Sequence, residues 1–471
     1  MTAGLDRASF HDPDGSVFLG GGTVLRALAP EAAQRLDAFL GTDVHAQLLG
    51  RGELPRTERV APPSGPGLSA QDLPGDARWF GHERLPFINY PHEWIPDQLV
   101  DACRLTLDLS RSLREAGWNL KDGNARNVVF RGRQPVFVDF GSFEHRDDSS
   151  PVWRPAGQVQ RHFLLPLLAF LKLGWNPANV LLSHPDGLSH DEAYRSLRSW
   201  RWSDRHVFWL CTVPAMLGRL GGSRRSAVRP LAADVCRTAA DLTVRSLRRR
   251  LDALASRLGS PQSHWAAYEG ARTHYTGEQL ALKRAAVDRM LRAASPRSLL
   301  DIGTNGGEYS NLAASQGCEV VSIDSDVGAL RVARQAAAEA KLDVLHLLVD
   351  FTAPTPALGW NGVECQSFDQ RCEKRFDLVM GLAVLHHVLV AGRIPLDEVL
   401  SKLASYTRRH MIIEYVDPSD EMFDAIAQQR ATRFDGLTRD SFESALQRRF
   451  RIDEAVELIP GRRTLYLCSL H

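Results

Sequence analysis

A chain of 471 residues, 44% hydrophobic and 24% charged, is long enough to bury two or three separate cores. Its formal net charge of +1 leaves no global field to draw it onto nucleic acid or a membrane surface. The seven cysteines are odd in number and scattered without a C-x-x-C pair, which argues against a disulfide framework or zinc site and for a reducing compartment. No charged-then-apolar signal pattern opens the sequence. The longest apolar run, residues 163–171, is interrupted by Pro166 and closed by Lys172, too short to span a bilayer. The expectation is a cytoplasmic protein without a membrane partner. Basic residues are mostly arginine and the first lysine is Lys121, so each lysine is informative.

Residues 1–95 read as a small α+β segment. Val17-Phe18-Leu19, a glycine run at 20–22 and Val24-Leu25-Arg26 predict a hairpin, and Pro30–Leu40 has helical spacing. Residues 62–74 are rich in Pro, Gly and Ser and read as a loop. An amphipathic helix follows over 97–116 and stops at Gly117. Next come Leu120-Lys121-Asp122, Asn127 five residues on, a short strand, and a second strand ending in Asp139-Phe140-Gly141. This order resembles the catalytic core of protein kinases and aminoglycoside-type phosphotransferases. The resemblance implies a mixed α+β kinase-like fold, with Asp122 as base and Asn127 and Asp139 as Mg²⁺ ligands. The chain departs from that pattern where it matters. Leu120 and Lys121 replace the usual His-Arg, and no lysine precedes Lys121 to hold ATP phosphates, leaving Arg26 as the nearest stand-in. The reading is therefore a kinase-like fold without kinase activity, its mainly helical part spanning 96–260.

Residues 189–260 read as helical and aromatic, with Trp200, Trp202 and Trp209. Fourteen arginines face six acids over 191–260, densest at Arg245-Ser-Leu-Arg248-Arg249-Arg250. A solvated helix face balanced by acids elsewhere is the favoured reading, with a phosphate- or RNA-binding face as the alternative. Pro261 marks a boundary. His264, Trp265, Tyr268, His274 and Tyr275 lead into a helix over Gly277–Ala294.

The last domain, 261–471, is organised by residues 298–324. An apolar strand ends in Asp301-Ile-Gly303-Thr-Asn305-Gly-Gly307, a helix follows, and a second apolar strand ends in Asp324. This is a β–α–β unit whose turn needs small residues so that backbone can approach a ligand. Asp324 lies about twenty residues past Gly303, where an acid can take both hydroxyls of a ribose. A dinucleotide fingerprint would place its third glycine at Glu308. The spacing instead resembles the D/E-x-G-x-G-x-G motif of class I S-adenosylmethionine (SAM) methyltransferases.

Later stretches carry the same resemblance. A helix over 326–340 and a strand over 342–349 end in Asp350-Phe351. Phe376-Asp377-Leu-Val-Met reads as a fourth strand, followed by Leu382 and by Leu385-His386-His387. A helix over 396–407 precedes the strand 410–416, which contains Glu414. Two strands joined at Pro460-Gly461 close the chain.

The resemblance implies an α/β fold: a Rossmann-like sheet of seven strands with an antiparallel terminal hairpin. It implies SAM as cofactor, held by Asp301, Gly303, Asn305, Gly307, Asp324, Asp350, Phe351 and Leu382, and no metal. The helix Gly277–Ala294 would lid that pocket, making Tyr275 and Lys283 ligand candidates, with packing their commoner fate. His386, His387 and Glu414 lie at strand C-terminal ends, where ligands bind in open α/β sheets, and are the candidate catalytic groups.

An N-P-P-[YF] stretch for planar nitrogen acceptors is absent after the fourth strand, which weakens a DNA or protein-glutamine target. The stretch 376–387 resembles that of methyltransferases acting on small molecules, which implies a small-molecule acceptor. A bifunctional phosphotransferase–methyltransferase and an RNA methyltransferase are the alternatives. The whole arrangement, including Tyr90-Pro-His-Glu-Trp94, resembles bacterial methyltransferases labelled nodulation-protein-like, a likeness that implies no particular acceptor.

Overall fold

The computed structural model describes residues 4–20, 22–62, 76–220, 231–260, 275–420, 423 and 436–471. Residues 63–74 of the expected loop, the boundary at Pro261, and His264, Trp265, Tyr268 and His274 lie outside the described residues. The chain divides into two compact units, Met1–Gly259 with Leu358–Cys365, and Ser260–Ala357 with Gln366–His471.

In the first unit, β1 (Gly4–Leu5), β2 (Gly15–Gly20), β3 (Thr23–Leu28), β4 (Thr57–Val60) and β5 (Arg78–Glu83) form an antiparallel sheet in the order β1-β2-β3-β5-β4. The hairpin β2–β3 was legible from its sequence; β4 and β5 were not. Trp79-Phe80-Gly81-His82 is buried on both faces of β5, so the alternation that marks a half-exposed strand is missing. α1 (Pro30–Leu40) opens with proline at a position where its missing N–H costs nothing, and buries Ala33, Leu36 and Phe39. α2 (Asp43–Gly50) is capped by Thr42, whose hydroxyl accepts the His45 N–H. α3 (Pro96–Glu115) starts on Pro96 and buries Leu99, Cys103, Leu107 and Leu113 along one side. Beyond it β6 (Trp118–Leu120) pairs with β9 (Phe143–His145), and β7 (Val128–Arg131) pairs with β8 (Gln134–Phe137). α4 (Ala233–Ala255) packs on α3 through Val244, Leu247, Leu251 and Leu254.

The second unit begins with α5 (Gly277–Ala294), whose buried stripe is Lys283, Ala286, Val287, Met290, Leu291 and Ala294. β10 (Ser298–Ile302), α6 (Glu308–Ser315), β11 (Glu319–Asp324), α7 (Val327–Glu339), β12 (Val344–Leu348) and β13 (Phe376–Gly381) follow. The unit closes with α8 (Leu396–Tyr406), β14 (Thr407–Val416), α9 (Arg439–Gln447), β15 (Phe450–Ile459) and β16 (Arg463–Leu470). The strands form one seven-stranded sheet in the order β12-β11-β10-β13-β14-β16-β15, with β16 antiparallel to both its neighbours and β10–β14 parallel. Strands covered on both faces read as continuous apolar runs, as in Val320-Val321 and Leu378-Val379-Met380. β14 begins at Thr407, three residues before the stretch read as strand, because exposed Arg408 and Arg409 interrupt the apolar pattern. All seven cysteines are free and buried. Among the described residues no helix is long and apolar enough to cross a membrane.

Candidate active site

The turn leaving β10 holds three residues at positive φ: Gly303 at 71°, Asn305 at 48° and Gly307 at 80°. Glycine is required twice over at 303, since a Cβ there would lie 2.4 Å from Val384 Cγ2. Asp324, at the end of β11, faces this turn. Its Oδ2 accepts the Asn305 N–H at 3.0 Å and its Oδ1 accepts the Asp326 N–H at 2.9 Å. Burial raises its pKa, against those N–H bonds. Asp301 lies deeper. Ser310 Oγ donates to its Oδ2 at 2.6 Å and is itself 2.9 Å from Thr304 Oγ1. Burial pushes the Asp301 carboxyl up to about 6, the two hydroxyls opposing and the charge of Asp324 adding to it. Asp301 thus fastens the start of α6 beneath the turn.

A second polar centre surrounds Glu414 near the end of β14. Its fully buried carboxylate accepts from Lys283 Nζ at 2.7 Å, Tyr275 OH at 2.5 Å and Arg463 Nη1 at 3.5 Å. Arg463, on β16, forks onto Asp420 at 2.7 and 2.8 Å and also donates to the Tyr275 oxygen at 3.1 Å. Burial alone would raise the Glu414 carboxyl. The charges of Lys283 and Arg463, with the Lys283 and Tyr275 hydrogen bonds, outweigh it and hold the group below its ordinary range. Burial and the charge of Glu414 push the Tyr275 phenol up, so Tyr275 stays a neutral donor. Two cations and two carboxylates therefore cancel within one buried cluster.

His386 and His387 follow β13, their ring centroids 4.3 Å apart, with the Phe423 ring stacked 6.4 Å from His386. Burial, then the neighbouring His387 and Arg463, lowers the His386 imidazole to about 3, against the pull of Glu414 and Asp420. Burial and Arg463 lower His387 as well. His386 is neutral near pH 7, and its buried Nδ1 has no hydrogen-bond partner among the described residues.

A family described as "methyltransferase domain" matches residues 273–449. The chain is 29% identical to the nodulation protein NoeA of Rhizobium meliloti strain 1021 over 466 residues, 97% of this chain and 94% of that one. The C-terminal half of the chain is a methyltransferase domain. Solved structures with similarity to it include magnesium protoporphyrin IX methyltransferase of Synechocystis PCC 6803 with bound SAM, at 18% identity and TM-score 0.28, covering 41% of this chain and 80% of that one. The N-methyltransferase NodS of Bradyrhizobium japonicum WM9 is similar at 13% identity and TM-score 0.30, covering 41% and 97%.

The residues at the turn fit SAM, the cofactor that the sequence resemblance implies for a methyltransferase domain. Asp324 accepts backbone N–H groups on both oxygens, and a carboxylate has further lone pairs of the kind that can take hydroxyls such as those of a ribose. Asn305 Oδ1 is buried without a partner among the described residues, an acceptor left open for a ligand. Gly303 and Gly307 keep the backbone bare where a side chain would collide with Val384 or Ala333.

The other expected cofactor contacts of the domain have different surroundings. Asp350 is exposed, and its Oδ1 accepts from the Thr352 N–H and hydroxyl at 2.8 and 2.7 Å. Phe351 packs edge-on against Tyr406, beneath the Lys402 ammonium 5.1 Å from its ring. Leu382 belongs to the core shared by α5 and the sheet. Sequence reasoning missed Arg463 and Asp420 entirely, since one arginine in an arginine-rich chain gives no signal. It had the means to weight Lys283 more heavily: a lysine that continues the apolar stripe of α5 needs a buried counter-charge.

In the first unit the structure brings Arg26, Asn127 and Asp139 together. Asp139 Oδ1 accepts the Gly141 N–H at 3.0 Å, and Oδ2 accepts from Asn127 Nδ2 at 3.1 Å and Ser142 Oγ at 2.5 Å. A Cβ on Gly141 would lie 3.6 Å from Arg26 Nη2, so that guanidinium sits beside the Asp139-Phe140-Gly141 turn, paired to Asp12 at 2.6 Å. Asp122 is held separately, by Gln158 Nε2 at 2.8 Å.

Proposed function

We propose that the methyltransferase domain acts on a small-molecule acceptor and receives its nucleophilic atom beside His386. The observation that carries this reading is the neutral, buried imidazole with an unsatisfied Nδ1 on the carboxyl rim of the sheet. When bound, SAM supplies a methyl group already activated by its sulfonium, so the chain has to position, exclude water and receive a proton. His386 Nδ1 suits the first task, accepting a hydrogen bond from an acceptor X–H and aligning its lone pair. Its low basicity favours an acceptor that is already nucleophilic over an aliphatic hydroxyl needing a strong base. Glu414 serves differently: its carboxylate is committed to Lys283, Tyr275 and Arg463, and it acts as a positioning residue that ties α5 to the sheet. Incubation with methyl-labelled SAM and fractionated cell extract tests the reading. Label is expected in the low-mass fraction; label confined to RNA or protein would overturn it.

The first unit is read as a kinase-like scaffold without phosphotransfer activity. Its Asp139 oxygens are engaged by Gly141, Asn127 and Ser142, and Arg26 beside the turn is neutralised by Asp12. The near full-length alignment with NoeA supports reading the two units as parts of one working protein. Mg²⁺-dependent ATP consumption that disappears in Asp139→Ala would establish the bifunctional reading instead.

A further inference from the structure

A groove of about 500 Å³ runs between α3 and α4, in the first unit and independent of the methyl acceptor's identity. Its walls are Asp108 and Arg111 from α3 and Arg245, Arg248 and Arg249 from α4; its floor is Leu107, Leu242 and Val244. The charges do not cancel. Arg248 pairs with Asp108 at 3.3 Å and with Asp252, which uses up the single acid of the lining. Arg111, Arg245 and Arg249 are exposed, and none makes an ion pair with a described residue. Three guanidiniums therefore stand around one concavity in a chain whose net charge is only +1.

The floor is aliphatic. Leu242 is 50% exposed there, over the buried Leu107 and Val244. A groove of this size suits a small molecule. Guanidiniums recognise carboxylate, sulfate and phosphate by forked hydrogen bonds, while a bare inorganic anion would leave the exposed Leu242 side chain in water. Single-stranded nucleic acid binds where aromatic rings offer stacking platforms, and no aromatic residue lines this groove.

We propose that this groove binds an anion carrying an aliphatic chain, the head on Arg111, Arg245 and Arg249 and the chain on Leu107, Leu242 and Val244. Calorimetry on the full chain, with octyl phosphate below its micelle concentration, tests it. One saturable site is expected, with inorganic phosphate and neutral octyl glucoside each binding at least about tenfold more weakly. Arg245→Ala with Arg249→Ala should weaken octyl phosphate by about tenfold or more, as should Leu242→Gln, with the thermal melt unchanged. Equal affinity for inorganic phosphate, or affinity unchanged in the arginine variant, would overturn the proposal. A short single-stranded RNA binding more tightly than octyl phosphate, and lost in the same variant, would replace it with a nucleic-acid site.

Discussion

Removing Glu414 is the most severe test of the buried charge cluster. Glu414→Ala takes away the acceptor of Lys283 Nζ at 2.7 Å and Tyr275 OH at 2.5 Å. The Lys283 side chain is only 7% exposed, so its ammonium is left in the interior without a counter-ion. Breaking a buried pair from one side costs about 3–5 kcal/mol. Arg463 keeps its fork onto Asp420, so it adds little to that figure. Replacing both partners, Glu414→Leu with Lys283→Met, removes the orphaned charge as well. The double variant should be more stable than Glu414→Ala by at least about 2 kcal/mol. Nine of the ten tryptophans belong to the first unit and only Trp265 to the second, so fluorescence would mainly follow the wrong one. Native-state hydrogen exchange of β14 and β16 amides reports the right one. Because the Glu414 carboxyl is held below its ordinary value, its contribution is present above that value and is lost as pH falls through the lowered one. The gap between wild type and Glu414→Ala should therefore close in acid. A loss under about 1 kcal/mol at pH 7, or a double variant less stable than the single one, would refute the reasoning.

Three further outcomes follow from the same site. Asp324→Ala should weaken SAM binding by about 1.5–3 kcal/mol in calorimetry, through lost charge-assisted hydrogen bonds; unchanged affinity would remove Asp324 from the ribose role. His386→Ala should lower kcat about tenfold with SAM affinity preserved, and the wild-type rate should show no His386-dependent inflection near pH 6.5, because the imidazole titrates at about 3. Asp301, at about 6 in the fold against an ordinary 3.8, makes the folded state hold its proton longer than the unfolded chain. Stability should thus fall as pH rises between those values, by on the order of 3 kcal/mol, and stay flat above; Asp301→Asn should abolish the slope in urea titrations.

The turn from Asp301 to Gly307 was legible because its requirements are local. Positive φ and close backbone approach restrict which residues can stand there, and that restriction is written within seven positions. Helix spans were legible for a similar reason: Gly277–Ala294 carries its own capping box at Thr276 and its own buried stripe. Strand β5 was not, since burial on both faces erases periodicity, and the start of β14 was hidden behind Arg408 and Arg409. The roles of the charged residues were harder still. Asp301 reads from sequence as a cofactor contact, and the structure adds a bond the sequence did not show, from Ser310 in the first turn of α6. Glu414 reads as a candidate catalytic group, and the partners of its carboxylate, Lys283 131 residues earlier and Arg463 49 residues later, were not legible. The neutrality of His386 likewise depends on burial and on an arginine delivered by the last strand. Backbone geometry and periodicity act between near neighbours, so the sequence alone determined the turn, the helices and the methyltransferase pattern. Desolvation and Coulomb interactions act between whatever the sheet order brings together, so only the tertiary structure decided how those acids and histidines are paired and buried.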